Sequence, residues 1–145
     1  MRHLVIALLL ASAAACSSMP SNQKGWIEPA EAVRAANANP ESGIRGTFVL
    51  TVKAMGRQDG RTYLNSELDY RDQRCLTAEM TDAVASKLEK QIGAPIESLK
   101  NQRILVTGQA RRVKIIFRDD QGADSGYYYY QTHVTVTDPA QISRP

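Results

Sequence analysis

Between residues 103 and 118 the apolar positions of this sequence change step. Ile104, Val106 and Ala110 fall on even numbers, whereas Val113, Ile115 and Phe117 fall on odd ones. Successive side chains of a strand point to opposite faces, so a single strand with two such halves is expected to gain a residue near Arg111 and Arg112. The simplest way to do so is a β-bulge, which bends a sheet toward closure. A chain built around such a strand is expected to be all-β and curved.

The other strands follow the same period of two. Ile44, Gly46, Phe48, Leu50, Val52 and Ala54 alternate with Arg45, Thr47, Thr51 and Lys53, which predicts a long, half-buried first strand. Gly56-Arg57-Gln58-Asp59-Gly60 supplies a turn, and a second strand is expected over 61–68. After Asp69-Tyr70-Arg71-Asp72 a third runs over about 74–80, with Leu76, Ala78 and Met80 on one parity. Thr81 or Asp82 can cap a helix in which Val84, Leu88 and Ile92 recur every four residues, until Gly93 and Pro95 end it. The bulged fourth strand follows. A turn over 119–126, acidic and glycine-containing, then leads to a fifth strand over 127–137. Ahead of all these, residues 28–37 read as a short helix, with Pro29 at its start and Asn39-Pro40 as its stop.

The beginning of the chain is of another kind. Met1-Arg2-His3 is followed by the apolar run Leu4-Val5-Ile6-Ala7-Leu8-Leu9-Leu10 and by Ala13-Ala14-Ala15, the three-part layout of a secretory signal peptide. The run is too short for a membrane span, which needs about 20 apolar residues. Removing residues 1–15 of the 145 leaves 17 basic and 15 acidic side chains. That excess is too small to point to nucleic acid, and nucleic acid is not expected in the compartment implied.

Ala13-Ala14-Ala15-Cys16 resembles the lipobox of bacterial lipoproteins, although such boxes usually carry Leu where this chain has Ala13. The resemblance implies that Cys16 is lipidated on its sulfur, becomes the mature N-terminus and holds the protein to a membrane. Ser17 and Ser18, with no acid beside them, resemble the sorting pattern for the outer membrane of enteric-type bacteria, which implies a periplasmic protein on that membrane's inner leaflet. Ordinary signal peptidase cleavage after Ala13-x-Ala15, giving a secreted soluble protein, is the alternative. With Cys16 lipidated, Cys75 has no partner for an internal disulfide and is expected to be buried. The expected organisation is a signal peptide over 1–15, a lipidated N-terminus, tether and short helix over 16–42, and one domain over 43–142.

Strand, strand, strand, helix, strand, strand is the order of the five-stranded Greek-key barrel called the OB-fold. The stretch Tyr63-Leu64-Asn65-Ser66-Glu67-Leu68-Asp69-Tyr70-Arg71-Asp72 also resembles a loosely defined group of bacterial OB-type, nucleic-acid-binding-like domains. That resemblance implies an architecture and transfers no substrate. The rival fold is an open antiparallel α+β meander with the helix on one face.

Catalytic chemistry has little to build on in this sequence. His133 is the single histidine beyond the signal segment and falls on the outward parity of the last strand, where a solvated residue is expected. Asp119, Asp120 and Asp124 crowd one turn but lack the spacing of a calcium loop. Arg71, Asp72 and Glu79 are the residues that a metal-dependent phosphodiester hydrolase would use, in a spacing that does not match that chemistry. No metal or other cofactor is expected.

A binding surface has more support. The face of strands two and three in such barrels commonly holds ligands. Here it is expected to present Tyr63 and Asn65 from strand two, Arg71 and Arg74 at the turn, and Thr77 on strand three. An aromatic platform beside guanidinium groups can grip phosphate, sugar or an acidic peptide. The plainer reading is that Asn65 and Asp69 bond their turn, Tyr70 plugs a barrel end and Arg71 neutralises Asp69 or Asp72. In Tyr127-Tyr128-Tyr129-Tyr130, alternation is expected to send Tyr128 and Tyr130 into the core and leave Tyr127 and Tyr129 outside. Arg111, Arg112, Lys114 and Arg118 make strand four basic, which a solvated edge explains. The functional expectation is a non-enzymatic, lipid-anchored envelope protein that binds a glycan, peptide or protein of the envelope. The alternatives are the hydrolase and a structural subunit of an envelope complex.

Overall fold

In chain order the elements are α1 (Pro29–Ala38), β1 (Ile44–Thr51), β2 (Ala54–Gln58), β3 (Arg61–Asn65), β4 (Leu76–Thr81) and α2 (Asp82–Ile92). A 3-10 turn at Ile96–Leu99, β5 (Arg103–Arg118), β6 (Asp124–Val136), a second 3-10 turn at Pro139–Gln141 and β7 (Ile142–Ser143) complete them. These come from a computed structural model that describes residues 25–145. The signal segment, Cys16 and the tether up to residue 24 lie outside the described residues. The protein is mostly β-sheet with two helices, and its strands number seven among the described residues rather than five.

The sheet order is β1-β5-β6-β4-β3-β2, with β7 paired to β5. The pairs are antiparallel except β4 with β6, which run parallel. The expected first strand is split by a change of partner at two residues. The Val52 N–H donates to the Gln102 carbonyl at 2.9 Å, while the Lys53 N–H donates to the Asn65 carbonyl at 2.9 Å. Consecutive residues thus serve β5 and β3, the neighbours at opposite ends of the sheet order.

The second strand stops at Asn65 rather than near residue 68, and the third begins at Leu76. Local side-chain chemistry accounts for the loop between them. Asp69 Oδ1 accepts the Arg71 N–H and Asp72 Oδ1 accepts the Arg74 N–H, each at 2.9 Å, which holds the backbone in successive turns.

No register shift occurs at Arg111 and Arg112. The β5–β6 ladder runs unbroken from Ala110 opposite Val134 to Ile116 opposite Tyr128, and its irregularity lies between Ile116 and Arg118. The apolar step has a different cause. β1 begins at Ile44 opposite Ala110, so beyond that point β5 pairs with β6 alone, and past Thr132, where the pairing with β4 also ends, the two continue as a two-stranded ribbon. The even face, buried up to Ala110, then loses its cover. The odd face, with Ile115 and its partner Tyr129, bends over the outside of β2, β3 and β4.

The same geometry corrects the tyrosine run. Tyr128 is 51% exposed rather than core, and Tyr130 is half-buried. Both rings carry cations from β5: Lys114 Nζ lies 4.1 Å from the Tyr128 centroid and Arg112 Cζ 3.9 Å from that of Tyr130.

Even-numbered strand residues build the core, among them Phe48, Leu50, Leu64, Leu76, Met80, Ile104, Val106, Val134 and Val136. Burying each large side chain contributes roughly 1.5–3 kcal/mol. Helix α1 adds Ala32, Val33 and Ala36, and α2 adds Val84, Ala85 and Leu88. Thr81 Oγ1 caps α2 by accepting the Val84 N–H at 3.3 Å, and Gly93 ends it at φ 70°, where a side chain is disfavoured. Cys75 is buried, as expected. No helix among the described residues is long and apolar enough to cross a membrane.

Candidate functional site

Because the even residues of β3 and β4 face the core, Tyr63, Asn65, Thr77 and Glu79 face away from it. Register brings them together, with Tyr63 opposite Glu79 and Asn65 opposite Thr77. The parallel pairing of β4 with β6 then sets His133 beside Thr77. The overhanging ribbon adds Gln131, Tyr129 and Ile115, while Gly56, Arg57 and Gln58 of β2 and Tyr70 of the loop form the remaining walls. Together they enclose a groove of about 230 Å³.

Three of the five candidate residues meet here. Tyr63 lines the groove, and Asn65 and Thr77 form its floor, where Thr77 Oγ1 donates to Asn65 Oδ1 at 2.9 Å. The two arginines are placed differently. Asp69 takes the Arg71 guanidinium through both oxygens at 3.0 and 3.1 Å, and Asp72 takes that of Arg74 at 3.1 and 2.8 Å. Arg71 sits near Tyr70, 5.7 Å from its ring, whereas Arg74 belongs to a second depression with Lys53, Ser66 and Glu67. These bonds hold both carboxyls below the usual range, Asp72 down to about 2. Tyr70 does not plug the fold; it stands half exposed at the groove wall.

The sequence reading missed the most connected residue. His133 has the outward parity expected of it but is only 5% exposed. Its Nδ1 lies 3.0 Å from Glu79 Oε2 and its Nε2 lies 2.6 Å from Gln131 Oε1. Arg61 donates to the other Glu79 oxygen at 2.7 Å, and Gln131 Nε2 donates to Tyr129 Oη at 2.7 Å. The Tyr63 ring meets the imidazole edge-on with centroids 6.2 Å apart. The hydrogen bond from His133 lowers the Glu79 carboxyl, aided by the charges of His133 and Arg61 and opposed by burial. Burial raises the Tyr63 phenol, with Glu79 adding to the effect. Burial also raises Tyr129, against the hydrogen bond from Gln131.

Arg57, the one Lys or Arg lining the groove among the described residues, stands 3.7 Å from Glu89 and 3.5 Å from Glu97. The groove therefore offers phenol rings, amides and hydroxyls, and its charges are already paired. Arg71, Asp72 and Glu79 share no partner, being bound to Asp69, Arg74 and the His133–Arg61 pair respectively. Among the described residues, no cluster of three His, Cys, Asp or Glu side chains could hold a metal ion. Asp119 and Asp124 spend their carboxylates on N–H groups of their own turn.

Compared with known protein families, with curated proteins and with solved structures, the chain matches none.

Proposed function

We propose that this chain is a non-enzymatic protein of the cell envelope, anchored in the periplasm to the outer membrane through lipid on Cys16, whose domain binds an envelope component in the groove. The anchor rests on the Ala13-Ala14-Ala15-Cys16 junction. An OB-type barrel is supported by the helix between β4 and β5, the parallel β4–β6 pair and the bonds of Val52 and Lys53 to the two ends of the sheet order. In that reading β1 and β2 are halves of one bent strand.

The observation that carries the binding reading is the lining of the groove: Tyr63, Tyr70 and Tyr129 beside Gln58 and Gln131, with no unpaired charge among the described residues. Rings that cover the C–H face of a sugar and amides that bond its hydroxyls make a glycan the best-fitting occupant. Calorimetric titration with peptidoglycan-derived and other envelope glycans, and with envelope peptides, tests this. Saturable glycan binding that Tyr129→Ala weakens at least about tenfold is expected. Absence of saturation with every glycan contradicts it. Mass spectrometry of the mature N-terminus tests the anchor, where a diacylglyceryl Cys16 is expected and an unmodified one refutes it.

Exposed Ile116, Phe117 and Tyr127 on the ribbon favour one further reading, a structural subunit that docks through this tip. Cross-linking in cells from position 127 to a single large partner is its expected signature.

A further inference from the structure

We propose that Glu79, His133, Gln131 and Tyr129 form a proton-coupled relay that decides whether the groove presents its ligand with a hydrogen-bond donor or an acceptor at Tyr129. The consequence for binding rests on the groove being a ligand site; the relay itself is a property of the free protein.

The inference follows from counting donors. A carboxylate oxygen and an amide oxygen both accept only, yet His133 faces Glu79 Oε2 with Nδ1 and Gln131 Oε1 with Nε2. With the Gln131 amide turned this way both ring nitrogens donate, which is the arrangement an imidazolium takes. Gln131 donates through Nε2 to Tyr129 Oη, which leaves the hydroxyl hydrogen of Tyr129 free to point into the groove.

When the ring releases one proton to solvent, a single N–H remains. Glu79 keeps it on Nδ1, because a carboxylate has nothing to donate to a bare nitrogen. Nε2 then presents a lone pair to Gln131 Oε1 at 2.6 Å, which is repulsive. Turning the Gln131 amide over relieves this at almost no steric cost, since its oxygen and NH₂ are nearly the same size. Gln131 Nε2 now donates to His133, and Tyr129 donates its hydrogen to Gln131 Oε1. Toward the groove Tyr129 can then only accept.

The surrounding charges leave this logic intact. From β4 the ring meets Glu79, and from β3 Tyr63, with Arg61 on the far oxygen of Glu79. Asp59, next to β3, acts on Tyr63. Arg111 is the register neighbour of His133 on β5, and Arg57 of β2 is held by Glu89 and Glu97. Tyr70 approaches from the loop. Since His133 is buried, its nitrogens are served by these side chains rather than by bulk water. Protonation of an imidazole is the charge change that side chains most readily make near neutral pH. A ligand that brings only acceptors to Tyr129, such as an acetamido carbonyl or a carboxylate, is favoured by the protonated state. A ligand that brings only donors, such as an ammonium, is favoured by the neutral one.

Long-range ¹H–¹⁵N NMR of the full ¹⁵N-labelled chain reads the relay without any ligand. The His133 ring is told from His3 by its through-space contact with Tyr63. The neutral ring is expected as the Nδ1–H tautomer, and the Gln131 NH₂ signals are expected to move with the same midpoint as the ring. In Gln131→Glu the ionised side chain has no N–H to turn toward the ring, and the ring midpoint is expected to rise. An Nε2–H tautomer, or Gln131 signals indifferent to the ring, overturns the relay whether or not the variant folds. Such a result leaves the groove reading standing, whereas failure of every glycan to bind removes that reading and leaves the relay.

Discussion

Strands β5 and β6 each run through two environments. Against β1 and β4 their even residues are core: Ile104, Val106, Ala110, Val134 and Val136 are buried. Past Ala110 the same parity continues into the ribbon, where Ile116 is 42% exposed and the tyrosines of β6 carry cations instead of neighbours. The β5–β6 register runs unbroken from one half into the other. What differs is the layer above, which shows that a strand's parity fixes which residues share a face and that packing elsewhere decides whether that face is buried.

The largest test of this contrast uses one residue type on one strand. Ile104→Ala is expected to cost about 2–5 kcal/mol through a lost core contact and a cavity, and Ile116→Ala no more than about 0.5 kcal/mol, both read by urea unfolding. Equal losses would make the ribbon part of the core.

Gly108 sharpens the same boundary, because a Cβ there would meet Val134 Cγ1 at 2.9 Å and Gln141 Nε2 at 3.2 Å. Gly108→Ala is therefore expected to cost about 1–3 kcal/mol by overpacking. Gly122→Ala at the ribbon tip sits at φ 80° with nothing within 4 Å, so its cost is backbone strain of about 1 kcal/mol. A thermal melt of each variant checks the order.

On the ribbon, Arg112→Ala is expected to lose about 0.5–1 kcal/mol from its stacking on Tyr130. A double-mutant cycle with Tyr130→Ala isolates that amount.

The smallest effect belongs to the loop. Asp72 is depressed from 3.8 to about 2 by Arg74, so the folded state holds fewer protons than the unfolded one as pH falls. Its stabilisation is complete above about pH 4 and is lost as pH drops through about 2. Because the pair is exposed, Asp72→Asn should shift the urea midpoint only slightly at neutral pH and progressively less as the pH falls through about 2.

Legibility in the sequence followed the range of the interaction. Both helices and the shared parity of Tyr63 and Asn65 depend on near neighbours and can be read directly, whereas the turn expected over 56–60 shrinks to Asp59-Gly60 because Gly56 to Gln58 pair with β3. The salt links of Arg71 and Arg74 are equally local, each an Asp two residues earlier. The meeting of His133 with Glu79 depends on β4 running parallel to β6, across 54 positions of chain. No local pattern encodes that pairing, so a histidine on the outward parity looked solvated. The step in β5 misled for a related reason, since a face half covered by the outside of β2, β3 and β4 leaves the same periodic trace as a bulge.

The central claim is that the face shared by β3, β4 and β6 is a ligand site. Amide and side-chain NMR of the labelled protein, titrated with a peptidoglycan-derived disaccharide, addresses it most directly. Saturable shifts confined to Tyr63, Tyr70, Tyr129, Gln131 and their neighbours, abolished by Tyr63→Ala together with Tyr129→Ala, are expected. Saturable shifts centred on the ribbon tip around Phe117 and Tyr127, with the groove silent, would contradict it.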